Sequence, residues 1–170
     1  MNNDAKTHFL PASQRALRWI VTVCWAGLIF GLSTKTYGAS FTEVMLHRLL
    51  DLVHIQLSPA HFEALHFIVR KSAHFTEYGI LSLLLFASIS EARKFEWQPR
   101  AAMWSIVIAG LYSLTDEFHQ MFVPGRGPSI KDCGIDTAGA AAAMLVVYLG
   151  NRRGRANEPT GSVAEAPGRS

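Results

Sequence analysis

Apolar positions gather in four blocks along the chain. The first covers residues 17–32 (LRWIVTVCWAGLIFGL), with Arg18 as its one charge. The second runs from about residue 73 to 90 and is densest from residue 80 onward (ILSLLLFASIS). The third spans residues 101–114 (AAMWSIVIAGLYSL) and the fourth about residues 135–149 (IDTAGAAAAMLVVYL). A soluble helix carries an apolar stripe and a polar opposite face. Residues 19–32, 79–90 and 101–114 are instead apolar or small almost all round. A bilayer-crossing helix needs about 20 residues, with about 17 as the short limit. Each block reaches that length with its polar flanks included. The pattern predicts four transmembrane helices. A fully soluble helical bundle is the competing architecture.

Between the first two blocks, residues 34–70 are too many for a simple turn. Ser40-Phe41-Thr42-Glu43 has the form of a capping box. Apolar residues then recur at helical spacing at Phe41, Val44, Met45, Leu49, Leu52 and Val53. Ser58-Pro59 follows with the form of an N-cap and a proline at the first helical position, opening a helix that runs into the second span. The expectation is an all-α integral membrane bundle of four transmembrane helices, with one amphipathic helix in the first extracytoplasmic loop. Residues 1–14 form a cytoplasmic N-terminal segment and residues 15–150 the membrane domain. Residues 151–170, rich in Gly, Pro, Ala, Glu and Arg without apolar periodicity, read as a disordered cytoplasmic tail.

Composition narrows this further. Only 17% of the residues are charged, and the net charge is +3. A disordered or nucleic-acid-coating chain needs far more charge. Two cysteines cannot make a disulfide framework or a four-thiolate zinc site. Cys24 falls mid-span and Cys133 at a span end, so they are read as packing residues. Placing both termini inside puts ten of the sixteen basic residues on the cytoplasmic side: Lys6, Arg15, Arg18, Arg93, Lys94, Arg100, Arg152, Arg153, Arg155 and Arg169. That is the sense of the positive-inside bias. Trp19, Trp97 and Trp104 then fall near the inner boundary. Residues 1–34 could alternatively be a cleaved signal peptide, but the apolar stretch is long and Tyr37 is bulky where a small residue is wanted.

Three segments carry polar residues at span ends. Lys71, His74, Glu77, Tyr78 and Leu81 share one helix face about 120° wide. Tyr112, Asp116, His119 and Gln120 share a second face, with Glu117 at its edge. Asp132, Asp136, Gly139 and Ala143 form a third, narrow stripe. With the proposed topology all three faces lie at one depth, on the extracytoplasmic side. Isolated charges there cost several kcal/mol, so they should face one another or a wet cavity. Small residues of the fourth span (Gly134, Gly139 and Ala138 to Ala143) permit close packing around them. One clustered, outward-facing polar pocket is expected.

These motifs carry a resemblance. K-x-x-H-F-x-E-Y-G-x-L at 71–81, Y-x-x-x-D-E-x-H-Q-x-F-x-P-G-R at 112–126 and D-x-x-x-D-T-x-G at 132–139 resemble, in order and spacing, the VanZ-like family of small membrane proteins. Asp136 departs from the asparagine usual in the family. The resemblance implies a multi-pass protein of the bacterial inner (cytoplasmic) membrane. It also implies a part in resistance to teicoplanin-type glycopeptides or in envelope assembly, without specifying a reaction.

Three chemistries fit the polar residues. In the first, Lys71, His74 and Arg126 contact a head group, Glu77, Asp116, Glu117, His119 and Asp132 form the network that positions them, and Tyr78, Gln120 and Asp136 complete the binding residues. The ligand would be an amphiphile, such as a lipid-linked cell-wall precursor or a lipoglycopeptide, among membrane lipids. The second is a membrane-embedded enzyme with His74, Glu77, Asp116 and His119 as acid–base candidates. No nucleophile elbow is present, although Ser72, Ser113 and Thr115 lie near. The third is a helix-tying hydrogen-bond network with no ligand, in which Arg126 pairs with Asp132 or Glu117. The nitrogen and oxygen donors suit Mn or Zn in type, but no standard ligand spacing occurs, so no metal or cofactor is assigned. No nucleic-acid partner is expected, and His8, His47, His54, His61 and His66 read as surface or interfacial residues.

Overall fold

The computed structural model describes residues 10–33, 39–90, 96–122 and 129–156. Within them the chain is all-α, with five helices: α1 (Ala12–Ser33), α2 (Ala39–Leu52), α3 (Pro59–Ser90), α4 (Pro99–Gln120) and α5 (Ile130–Ala156). Arg126 and its Pro124-Gly125 turn, the basic residues 93–94, and the tail beyond residue 156 lie outside the described residues. The last helix extends past Leu149 to Ala156, and so includes Arg152, Arg153 and Arg155.

Local chemistry sets the helix ends. Pro59 opens α3, where the missing N–H costs nothing. Ser58 caps it, with its carbonyl accepting from Phe62 N–H at 2.9 Å and its hydroxyl meeting His61 Nδ1 at 2.6 Å. Pro99 opens α4 in the same way behind Gln98. At the end of α2 the His54 N–H donates to the Asp51 carbonyl at 3.1 Å and the Ile55 N–H to the Leu50 carbonyl at 2.9 Å. Those two bonds define a Schellman motif. They place His54 in the left-handed region, at φ 56°, and fold the chain back onto α3.

α3 is the organising element. It packs against each of the other four helices, while α5 packs against α3 and α4. Its inward stripe of Tyr78, Leu81 and Leu85 meets Ile29, Ala109 and Ala140, with Trp25 and Tyr112 alongside. Farther along, Phe86 packs with Ala101, Ala102 and Met144. α3 and α5 touch backbone to backbone at Gly139, where a β-carbon would collide with the Phe75 carbonyl. The small-residue expectation therefore holds at Gly139, whereas Gly134 faces open space. Trp97 packs on Phe86 and Tyr148 at the bundle end, and Trp19 and Trp104 are exposed.

The polarity of this bundle is inverted relative to a water-soluble one. Val23, Leu111 and Val146 are 65%, 57% and 70% exposed, while Ser113 and Asp136 are 0% and 1%. Such an exterior would be an aggregation surface in water; in hydrocarbon it is the favourable face. This counts against the soluble-bundle reading. Helices α1, α3 and α5 are each long and apolar enough to cross a membrane. At 1.5 Å per residue the 32-residue α3 is about 48 Å long, well beyond a hydrocarbon core of about 30 Å. α1 is an integral member of the bundle. Arg18 Nη1 donates to the Ala87 carbonyl at 2.6 Å, Thr22 pairs with Ser88 at 3.0 Å, and Trp25 Nε1 donates to the Glu77 carbonyl at 3.0 Å.

Candidate functional site

The polar side chains singled out by the three motifs collect at one end of the bundle, where α1 and α4 finish and α5 starts. Their partners fall into three groups. On the rim, Lys71 of α3 is ion-paired with Asp132 of α5. The Lys71 ammonium also lies 5.3 Å from the centre of the Phe67 ring. One turn deeper, His74 Nδ1 stands 3.6 Å from Asp136 Oδ1, an ion-pair separation too long for a hydrogen bond. The other oxygen of Asp136 accepts from the Ser113 hydroxyl at 2.6 Å. Carboxylate, hydroxyl and imidazole thus link α3, α4 and α5.

The third group closes α4 onto α1. The Ser33 hydroxyl donates to Asp116 Oδ2 at 2.8 Å. Gln120 Nε2 donates to the same carboxylate oxygen at 3.0 Å and to Ser33 Oγ at 2.7 Å. Beside it, Glu117 Oε2 accepts from the Ser129 N–H at 2.8 Å, which holds the start of α5 against the end of α4. Asp116, Glu117, Gln120 and Asp136 are all buried, so the cluster is packed protein as much as open pocket. Glu77 lies within electrostatic reach of His74, Asp136 and Asp116.

The motif residues divide accordingly. Lys71, His74, Asp132 and Asp136 meet between α3 and α5, and Asp116 and Gln120 meet at Ser33. Tyr78 is fully buried at the centre, next to Ser113. His119 lies against Phe30 of α1, with ring centres 4.4 Å apart and planes tilted by 39°. Tyr112 likewise turns to α1, donating to the Ala26 carbonyl at 2.7 Å. The inward face of α4 is therefore Ser113, Asp116, Glu117 and Gln120. It is rotated by about 65° from the predicted Tyr112, Asp116, His119 and Gln120 stripe, toward the edge where Glu117 was placed. Arg126 lies outside the described residues, so neither its head-group role nor a salt bridge is described.

Two contributors escaped the sequence reading. Ser33 looked like the plain end of an apolar block, and nothing in its neighbours marks it as a partner of Asp116. Ser113 was noted only for lacking a nucleophile elbow. Its position one turn before Asp116 was the available signal, since i and i+3 share a helix face. Among the described residues no three His, Cys, Asp or Glu side chains are grouped to hold a metal ion.

Several long apolar helices, an apolar exterior and a buried polar cluster at one end define a multi-pass helical membrane protein. A family model for VanZ/LLP1 matches residues 18–151. The chain belongs to the VanZ/LLP1 family, and the match takes in all three polar motifs. No curated protein and no solved structure matches it.

Proposed function

We propose that this protein crosses the bacterial cytoplasmic membrane four times, through α1, α3, α4 and α5, with both termini inside and α2 lying on the outer surface. In this arrangement it binds an amphiphilic envelope component at the polar end of the bundle, and thereby influences glycopeptide sensitivity or envelope assembly. One observation carries the reading. Polar groups from four helices converge at one end of the bundle, and Lys71 of that cluster also lines a cavity of about 360 Å³ walled by Phe67, Ile68, Phe75 and Ile135. A cation beside apolar walls suits a molecule with an anionic head and a hydrocarbon tail. At 22 residues, α4 is about 33 Å long, enough for the fourth crossing. The outward Val44, Met45, Leu49 and Leu52 of α2 suit an interfacial helix.

The experiment is mass spectrometry of lipids retained by the purified protein after exposure to envelope extract. The expected result is an unaltered anionic amphiphile held by wild type and held about tenfold more weakly by Lys71→Ala. Retention of nothing specific overturns the reading. A reporter fused after Arg153 tests the topology, and an extracytoplasmic signal from it overturns that part. A second reading, acid–base chemistry on a lipid-linked substrate, draws on one feature: Asp136 bears on both His74 and the Ser113 hydroxyl. A chemically changed product in the same assay selects it.

A further inference from the structure

A second cavity, of about 660 Å³, lies between α2 and the first two turns of α3. It shares no residue with the polar cluster. One wall is Glu43, His47 and Asp51, spaced i, i+4 and i+8 along α2; the other includes Phe62, Glu63 and His66 of α3. α2 thus turns a titratable stripe toward α3 and leaves Leu49 and Leu52 outside, 57% and 76% exposed. Leu46, 9% exposed, and Leu50 lie on the same side of α2, so the face toward α3 is mixed polar and apolar.

The lining is electrically one-sided. Three carboxylates face the cavity, and no Lys or Arg is among the described lining residues, in a chain whose net charge is +3. The rings are ordered: His47 stacks on Phe62 with centres 3.9 Å apart and planes 20° apart, and His66 lies beyond at 6.2 Å. His66 Nε2 is buried and has no hydrogen-bond partner; in a neutral imidazole that nitrogen can accept. Leu50 and Leu57 supply apolar wall. The volume falls within the roughly 300–1,000 Å³ of small-molecule sites.

We propose that this cavity binds an organic ammonium ion bearing an apolar chain or ring. The three ammonium N–H groups go to the carboxylates of Asp51, Glu63 and Glu43, each a charge-assisted contact. The apolar part lies along Leu50, Leu57 and Phe62. The acids are spread around the walls and are not gathered into a ligand group, which favours an extended organic cation over a divalent metal. This site stands independently of the head-group reading of Lys71.

The probe is 4-phenylbutylamine, with 4-phenylbutyrate as its anionic counterpart, titrated against the full chain in maltoside micelles by calorimetry. The expected result is saturable binding of the amine and none of the carboxylate. The double variant Asp51→Asn/Glu63→Gln should bind about a hundredfold more weakly, the scale of two lost charge-assisted contacts. All three acidic side chains are exposed, so these changes should leave folding intact, which circular dichroism checks. Glu43→Gln, on the α2 wall with Asp51, should weaken binding in the same direction. Amine binding that does not saturate, or is equal in wild type and variants, overturns the proposal. So does stoichiometric uptake of zinc that the amine fails to displace.

Discussion

Gly139 on α5 lies so close to the Phe75 carbonyl on α3 that a β-carbon has no room. The colliding group is backbone, which cannot rotate away as a side-chain tip could. Gly139→Ala must therefore separate α3 from α5 and disturb the Lys71–Asp132 and His74–Asp136 pairs that bridge the same two helices. The expected loss is about 1–3 kcal/mol, the usual scale of overpacking, read by SDS titration in mixed micelles. Gly134→Ala is the internal comparison, because a β-carbon there meets nothing within 4 Å. It should be neutral or slightly stabilising, since alanine favours the helix by up to about 1 kcal/mol. Equal effects at the two sites would contradict the close approach.

Ser113 and Asp136 test whether the buried carboxylate depends on its donor. Ser113→Ala removes the hydroxyl that reaches Asp136 at 2.6 Å and leaves that oxygen buried without it. Loss of a hydrogen bond to a charged group costs about 1.5–3 kcal/mol. Asp136→Asn keeps an oxygen to accept from Ser113 and gives up only the longer 3.6 Å pairing with His74, so its effect should be below that of Ser113→Ala. Thermal unfolding of both variants in one detergent compares them. A milder Ser113→Ala than Asp136→Asn would mean that this contact does not hold the carboxylate.

His54 sits at the left-handed position of the Schellman motif that ends α2. A β-carbon makes that conformation unfavourable by about 1–2 kcal/mol, a penalty glycine avoids. His54→Gly should accordingly raise stability by up to about 1 kcal/mol, part of the gain being offset by the freer unfolded chain. His54→Val, β-branched, should lower it. The midpoint of thermal unfolding reads both, and a destabilised His54→Gly would show that the imidazole itself anchors the turn.

Much of this architecture is written in local patterns. Ser58-Pro59 marked the start of α3, and the all-round apolar blocks marked helices whose outer faces are apolar. The three polar stripes marked the end of the bundle where Lys71, Asp132, His74 and Asp136 meet, because a charge in hydrocarbon must find a partner. Helix periodicity gives a face to within about a residue's rotation, so it could not separate Tyr112 and His119, which turn to α1, from Ser113 and Glu117, which turn inward. Nor could it find Ser33. That residue reaches Asp116 across 83 positions of sequence, a relation fixed by packing of α1 on α4 and by no local motif. The apolar spacing of α2 was legible, whereas the Glu43, His47 and Asp51 side that faces α3 was not, because only the packing of α2 on α3 sets its direction.

Lys71 and Asp132 offer the sharpest separation of binding from architecture. Their side chains remain 17% and 20% exposed, so the pair is partly solvated and its worth to stability should stay within about 1 kcal/mol. Lys71→Ala should therefore leave the protein folded while weakening retention of an anionic amphiphile about tenfold, as expected for one charge-assisted contact. Asp132→Asn leaves the ammonium in place and removes the carboxylate that competes for it, so retention should hold or rise. The exchange Lys71→Asp/Asp132→Lys restores an ion pair but moves the cation from α3 to α5, away from Phe67 and the apolar walls formed by α3. It should recover stability without recovering retention. If Asp132→Asn costs as much retention as Lys71→Ala, or the exchanged pair binds as wild type does, Lys71 acts by tying α3 to α5 and the head-group assignment falls.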